Sequence, residues 1–210
     1  MSVNRASIYI DGFNLYYGAL KSTPFKWLNI AELCRLLLPH NRVNEIKYFT
    51  ARVKSRPGMP DLHIRQQMYL RALRTIPNLS IVEGHFLTKT CRMPLATPIA
   101  GQSIATVIKT EEKGSDVNLA AHLINDGYKS RYDLAVVISN DSDLCEAIRI
   151  VRTDLGKDVG VFNPHRKNPS VELRRIATFF RPIRQGVLAA SQFPAQMQDA
   201  NGSFHKPSMW

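Results

Sequence analysis

The sequence predicts an α/β fold with a mostly parallel central sheet, and three observations carry that expectation. Short β-rich apolar runs alternate with stretches whose apolar residues recur at helical spacing. One run, Leu134-Ala135-Val136-Val137-Ile138, is continuously apolar, as a strand covered on both faces must be. The 210 residues, 44% of them hydrophobic, suit one well-buried domain rather than two large ones.

Ser7-Ile8-Tyr9-Ile10 is the first expected strand and stops at Asp11-Gly12; Asn14 to Ser22 suits a short helix. Asn29 reads as a helix N-cap, with Glu32 three residues on completing a capping box. Ile30, Leu33, Cys34 and Leu37 form the apolar stripe of that helix, and Pro39 follows its end. Val43 to Thr50 is the second strand, and Arg56-Pro57-Gly58-Met59-Pro60 a loop. Asp61 opens a helix running to about Thr75, and Leu79 to Phe86 is the third strand. Lys89 to Thr106 carries Pro94, Pro98 and Gly101, which marks an irregular insertion or hairpin.

The second half repeats the alternation. Ser115 or Asp116 caps a helix with Val117, Ala120, Ala121 and Ile124 on one face, closed by Gly127. After Leu134 to Ile138 comes a helix with Leu144, Ala147, Ile148 and Val151 on one face, ending near Gly156. Val159 to Phe162 is the next strand, Ser170 to Ala177 a short helix, and Phe179 to Ile183 a last strand. Periodicity then stops. The expectation is one domain over 1–183 and a flexible tail over 184–210, rich in Ala, Ser, Gln and Pro.

The charge balance is +11, from 28 Lys and Arg against 17 Asp and Glu. Such a surplus favours a polyanionic partner, because each phosphate contacted by Lys or Arg releases counterions. No apolar run approaches the length of a membrane span, so no membrane partner is expected. The opening Met1-Ser2-Val3-Asn4-Arg5 leads straight into a strand with no secretory apolar region, and Cys34, Cys91 and Cys145 are scattered. Reduced thiols and a cytoplasmic location are the expectation.

Functional groups of open α/β sheets gather beyond the carboxyl ends of the strands, and here two clear strands end in acid. The first ends in Asp11; the run to Ile138 ends in Ser139-Asn140-Asp141-Ser142-Asp143. Asp116 stands at a helix start after Lys113-Gly114-Ser115. If those two strands are neighbours, Asp11, Asp141, Asp143 and Asp116 converge. Crowded carboxylates resist desolvation and repel, so either some are protonated or a cation sits among them, and hard oxygen ligands suit Mg²⁺ or Mn²⁺. Such an ion supports phosphodiester hydrolysis. Asn14 and Ser139 are candidates for orienting the ligands.

These motifs resemble those of NYN-domain proteins, a branch of the PIN-like nuclease superfamily. Ile8-Tyr9-Ile10-Asp11-Gly12-Phe13-Asn14 is similar to their opening, Glu112-Lys113-Gly114-Ser115-Asp116-Val117 to their central motif, and Ser139-Asn140-Asp141-Ser142-Asp143-Leu144 to their Ser-Gly-Asp-Ser-Asp-Phe motif. Two departures stand out: Asn140 replaces the usual glycine, and His122 occupies a position where relatives often carry another aspartate. The resemblance implies a Rossmann-like three-layer α/β/α fold and metal-dependent RNA cleavage at Asp11, Asp116, Asp141 and Asp143, with Asp11, Asp116 and Asp141 as metal ligands and Asn14, Ser139 and Asn140 behind them.

RNA of unspecified class is thus the expected partner. Arg52, Lys54, Arg56 and Lys113 are the candidate phosphate contacts, with Arg65, Arg71 and Arg74 on the following helix. Phe13, Tyr16 or Tyr17 are candidates for base stacking. Two other functions remain open: a non-catalytic RNA- or partner-binding module, and an NADH-dependent hydroxylase of a small aromatic substrate, an assignment attached to members of the family. Against the hydroxylase, no GxGxxG follows the first strand. A homodimer is compatible with the sequence, which carries no specific signal for one.

Overall fold

The computed structural model describes residues 5–55, 58–99, 101–165 and 167–210. Its centre is a seven-stranded sheet of order β4-β3-β2-β1-β5-β6-β7, formed by β1 (Arg5–Asp11), β2 (Arg42–Ala51), β3 (Leu79–Ile99), β4 (Gln102–Lys113), β5 (Leu134–Ile138), β6 (Asp158–Asn163) and β7 (Phe179–Pro182). Every pairing is parallel except that of β3 with β4. The helices are α1 (Gly12–Leu15, continuing as a π-turn over Tyr16–Leu20), α2 (Ile30–Leu37), α3 (Leu62–Leu73), α4 (Ser115–Tyr128), α5 (Cys145–Arg149), α6 (Val171–Ile176) and α7 (Gln185–Ala190).

Two apolar layers cover the sheet, and the period of two along β1 assigns them. Ile8 and Ile10 face a cluster with Leu15, Ile30, Leu33 and Leu73; Tyr9 faces the other, with Leu119, Leu123, Ile148 and Val151. The result is the three-layer, Rossmann-like arrangement. Within the second layer Lys47 and Asp126 form a buried ion pair; their side chains are 6% and 0% exposed. Burial by itself raises the Asp126 carboxyl, but the hydrogen bonds from Lys47 and from the Tyr9 hydroxyl (2.9 Å) outweigh it and hold the group below its ordinary value.

Several expectations are corrected. Only half of the Asn29 capping box forms: Asn29 Oδ1 accepts the Glu32 N–H (3.2 Å), but Glu32 binds Arg35 (2.6 Å), and the Asn29 N–H goes to Ser191 O. Gly127 does not close its helix. It lies inside α4, where a Cβ would stand 2.5 Å from the Tyr132 hydroxyl, and Ser130 takes the positive φ of 51° beyond the end. The third strand runs far past Phe86. With β4 it makes a long two-stranded ribbon whose Leu87, Met93, Ile99, Ile104 and Ile108 are exposed.

The segment expected as a flexible tail is folded. After α7, β8 (Gln196–Asp199) and β9 (Gly202–His205) form a hairpin. The Trp27 N–H of the indole donates to Pro194 O (2.8 Å), and the fully buried Trp27 ring is surrounded by Phe193, Phe204 and Trp210. Arg71 clamps Asp199 through two 2.7 Å bonds. Widely spaced aromatics in a polar stretch leave no periodic trace, although each buries a large apolar area. No helix among the described residues is long and apolar enough to cross a membrane, and all three cysteines are free.

Candidate metal centre and adjoining cavity

Because β1 and β5 are adjacent parallel strands, their carboxyl ends meet, and the turns that follow them deliver Asp11 and Asp141 to one spot. Gly12 permits this turn, since a Cβ there would lie 2.7 Å from both Phe49 O and the Tyr48 ring. Asp11 is 4% exposed and held from both sides: its Oδ1 accepts the Asn14 N–H (2.9 Å) and its Oδ2 accepts the Ser139 hydroxyl (3.1 Å). The Ser139 oxygen in turn accepts the Asp141 N–H (3.1 Å). Asn14 Oδ1 accepts the Asn140 N–H (2.9 Å), and Asn140 Oδ1 accepts the Ser170 N–H (2.8 Å). The asparagine at 140 thus ties the turn after β5 to the start of α6, a tie that glycine lacks.

Asp116 arrives from the third direction. The N-cap of α4 is Gly114, at φ 100°, rather than Ser115 or Asp116. Glu112 takes over the capping, accepting the Ser115 N–H (3.1 Å) and hydroxyl (2.6 Å), which leaves the Asp116 side chain free of that duty. Asp11, Asp116 and Asp141 each offer a carboxylate oxygen, and these atoms all lie within 4.8 Å of one another. Two oxygens on opposite sides of a Mg²⁺ ion stand about 4.2 Å apart, so small side-chain adjustments seat one hard divalent ion among the three.

The electrostatics agree with that donor set. Burial pushes the Asp11 carboxyl up to about 6, against the ordinary 3.8; the Asn14 N–H counters it, and Asp116 and Asp141 add to it. Burial also raises Asp116, with Asp141, Glu112 and Asp143 contributing further. Among the groups that shift these two carboxyls, none is cationic.

Asp143 stands apart from the trio. It is exposed, and its N–H donates to Asp141 Oδ1 (3.0 Å), so it shapes the Asp141 turn at the rim. His122 also lies outside, its ring 5.6 Å from Phe49 and its Nδ1 3.4 Å from Lys47 Nζ.

The trio lines one part of a cavity of about 630 Å³. Of the candidate phosphate contacts, Arg65 lines this cavity, whereas Arg52, Lys54 and Lys113 do not. Arg52 is committed to Glu83 (2.6 Å) and Lys113 lies near Glu111 (3.5 Å); neither lines the cavity, and nor does the exposed Lys54. Arg56 falls outside the described residues. Strand-end position brought Arg52 and Lys54 to the correct sheet edge, but the neighbouring Glu83 captures Arg52 there. The cations that do line the cavity are Lys21, Lys26 and Arg65, joined by His165, whose ring sits where a Cβ on Gly18 would be 2.6 Å away. Of these, sequence position pointed only to Arg65. His165 follows β6 and is held through its N–H to Asn163 Oδ1 (2.8 Å); the shared carboxyl edge of β6 was the available signal for it.

A Rossmann-like α/β domain with an acidic centre at the carboxyl edge of its sheet is the class defined by this fold and site. The chain belongs to the NYN domain family, whose model matches residues 5–184. It is 30% identical, over 98% of its own length and 75% of the relative's, to 6-hydroxy-3-succinoylpyridine 3-monooxygenase HspA of Pseudomonas putida (strain DSM 28022 / S16). Its fold matches the crystal structure of a protein of unknown function from Vibrio parahaemolyticus RIMD 2210633, with TM-score 0.58 and 17% identity over 87% of this chain and 94% of that one.

Proposed function

We propose that this protein is a metal-dependent ribonuclease that hydrolyses RNA phosphodiester bonds at Asp11, Asp116 and Asp141. The observation that carries the reading is the meeting of three carboxylates within 4.8 Å, from three separate stretches of chain. Charging them together is unfavourable without a cation, and a Mg²⁺ or Mn²⁺ ion held there would supply charge neutralisation and Lewis acidity for phosphodiester hydrolysis. Asp11 is the fixed ligand, its two oxygens oriented by Asn14 and Ser139. Asp116 and Asp141, half-buried, complete the set from α4 and from the turn after β5. Hydrolysis adds one water across a P–O bond and leaves one phosphate end and one hydroxyl end. The NYN family and the +11 charge support RNA as the polyanion.

The test is cleavage of end-labelled RNA with Mn²⁺. EDTA abolishes it, and Asp11→Asn or Asp141→Asn lowers it by roughly 100-fold or more while the variants stay folded by circular dichroism. Cleavage that survives both treatments overturns the reading.

One observation favours a second reading, hydroxylation of a small aromatic acid: the aromatic-lined cavity, in a chain similar to a protein named as a monooxygenase. That chemistry needs dioxygen and a two-electron donor such as NADH. The turn after β1, Asp11-Gly12-Phe13-Asn14, sets a carboxylate where a dinucleotide pyrophosphate would approach, which is the reason hydrolysis ranks first. NADH consumption dependent on 6-hydroxy-3-succinoylpyridine reverses that order.

A further inference from the structure

We propose that the cavity beside the carboxylates is a pocket for one unstacked nucleobase, walled in part by Met209 and Trp210, which lie beyond the family's residues 5–184. The inference rests on the nuclease reading of the same centre and names its substrate as a strand with an unpaired base at the cleavage position.

The cavity's two regions differ in chemistry. The trio and Glu112 make one region strongly acidic; Tyr16, Tyr17, Tyr69 and Trp210 line another with aromatic rings. At about 630 Å³ it falls within the roughly 300–1,000 Å³ typical of small-ligand pockets. A ligand suited to both regions needs a flat ring and an anionic group carried by a cation at the carboxylates. Lys21, Lys26 and Arg65 on the cavity wall suit further negative charge on the same ligand. A nucleotide unit within a strand has all three properties, and its base reaches such a pocket only after leaving its helical stack.

The far wall is fixed rather than incidental. Trp210 lies edge-on to Trp27 (6.2 Å) and Tyr69 (5.7 Å), and its N–H donates to Pro207 O (3.0 Å). Arg65 Nη1 reaches Met209 Sδ (3.1 Å), which links this wall to α3. Tyr17, by contrast, is 55% exposed; Lys21 Nζ lies over one face of its ring, 5.0 Å from the centre, and the ring's exposure suits it to stacking.

The experiment measures Mn²⁺-dependent cleavage and binding of a single-stranded oligoribonucleotide, its duplex, and a series in which one abasic site is walked along the strand. The single strand is expected to bind better than the duplex, and the abasic site to weaken binding about tenfold at one position only. Trp210→Ala, Tyr17→Ala and Met209→Ala are expected to weaken binding of the intact strand by a similar factor. On the strand that is abasic at the sensitive position they should cost little more, because the ring they hold is gone. Tyr17 and Met209, 55% and 73% exposed, keep the test valid if Trp210→Ala fails to fold. Cleavage that is blind to every abasic position, or variant effects equal on duplex and single strand, overturns the pocket assignment and leaves the nuclease reading standing. Position-specific binding without any metal-dependent cleavage does the reverse. Tight binding of 6-hydroxy-3-succinoylpyridine with no oligonucleotide binding overturns both.

Discussion

Asp11 is the residue in which the cost of the site is concentrated. A buried carboxyl whose folded value is raised to about 6 from 3.8 binds its proton more tightly in the folded chain than in the unfolded one. Its contribution to stability is therefore fully present below pH 3.8 and is lost as pH rises through 6. Above that, the metal-free fold carries a penalty on the order of 3 kcal/mol from this group. A divalent ion removes the penalty but competes with the proton. The melting temperature is accordingly expected to rise with Mn²⁺ more at pH 7 than at pH 5, and Asp11→Asn to abolish the difference. Thermal scans at the two pH values decide it; an equal or larger Mn²⁺ shift at pH 5 contradicts the account. The aspartates were legible in the sequence because each ends or begins an element. The neighbours that tune them were only partly so: Asn14 and Ser139 lie beside the acids in the chain, whereas the capping role of Glu112 depends on the positive φ of Gly114.

At the scale of elements, β2 and α4 are joined by a charge pair that local patterns do not announce. Lys47 interrupts the second strand and Asp126 sits near the end of the helix, 79 positions away. Removing one partner strands a buried charge, whereas removing both replaces the pair with apolar contact. Lys47→Met is expected to lower stability by about 3 kcal/mol, and Lys47→Met combined with Asp126→Leu to recover a substantial part of it. Urea titrations of the two variants check this; a double variant less stable than Lys47→Met shows that Tyr9 and Arg131, the other partners of Asp126, need the carboxylate more than Lys47 does. The elements themselves followed from periodicity where one face is buried, as in α2 and β5. Where it is not, a hairpin was one expectation but its strand bounds were missed: the β3–β4 ribbon extends beyond both apolar layers, so its length is set by cross-strand pairing instead of by a buried stripe.

For the whole molecule the decisive contact spans 167 positions of chain. Residues after Arg184 seal Trp27, fully buried, and form one wall of the cavity. A chain truncated after 184 exposes Trp27, Leu28 and Tyr69 and forfeits the Phe193 and Phe204 burial. It is expected to melt on the order of 10 °C lower, or to aggregate, with calorimetry or light scattering as the measure. A truncated chain that melts with the intact one shows that the segment only rests on the surface. By itself the sequence determined the α/β alternation, the strand ends at which acids gather, and the family, because hydrophobic period, caps and short motifs act over a few residues. Only the tertiary structure decided that Asp143 stays outside the trio, that Lys21 and Lys26 rather than Arg52 or Lys113 line the cavity, and that residues 209–210 line it together with residues 16–17. Such contacts join positions far apart in the chain, and their energy appears only when burial excludes water from both partners at once.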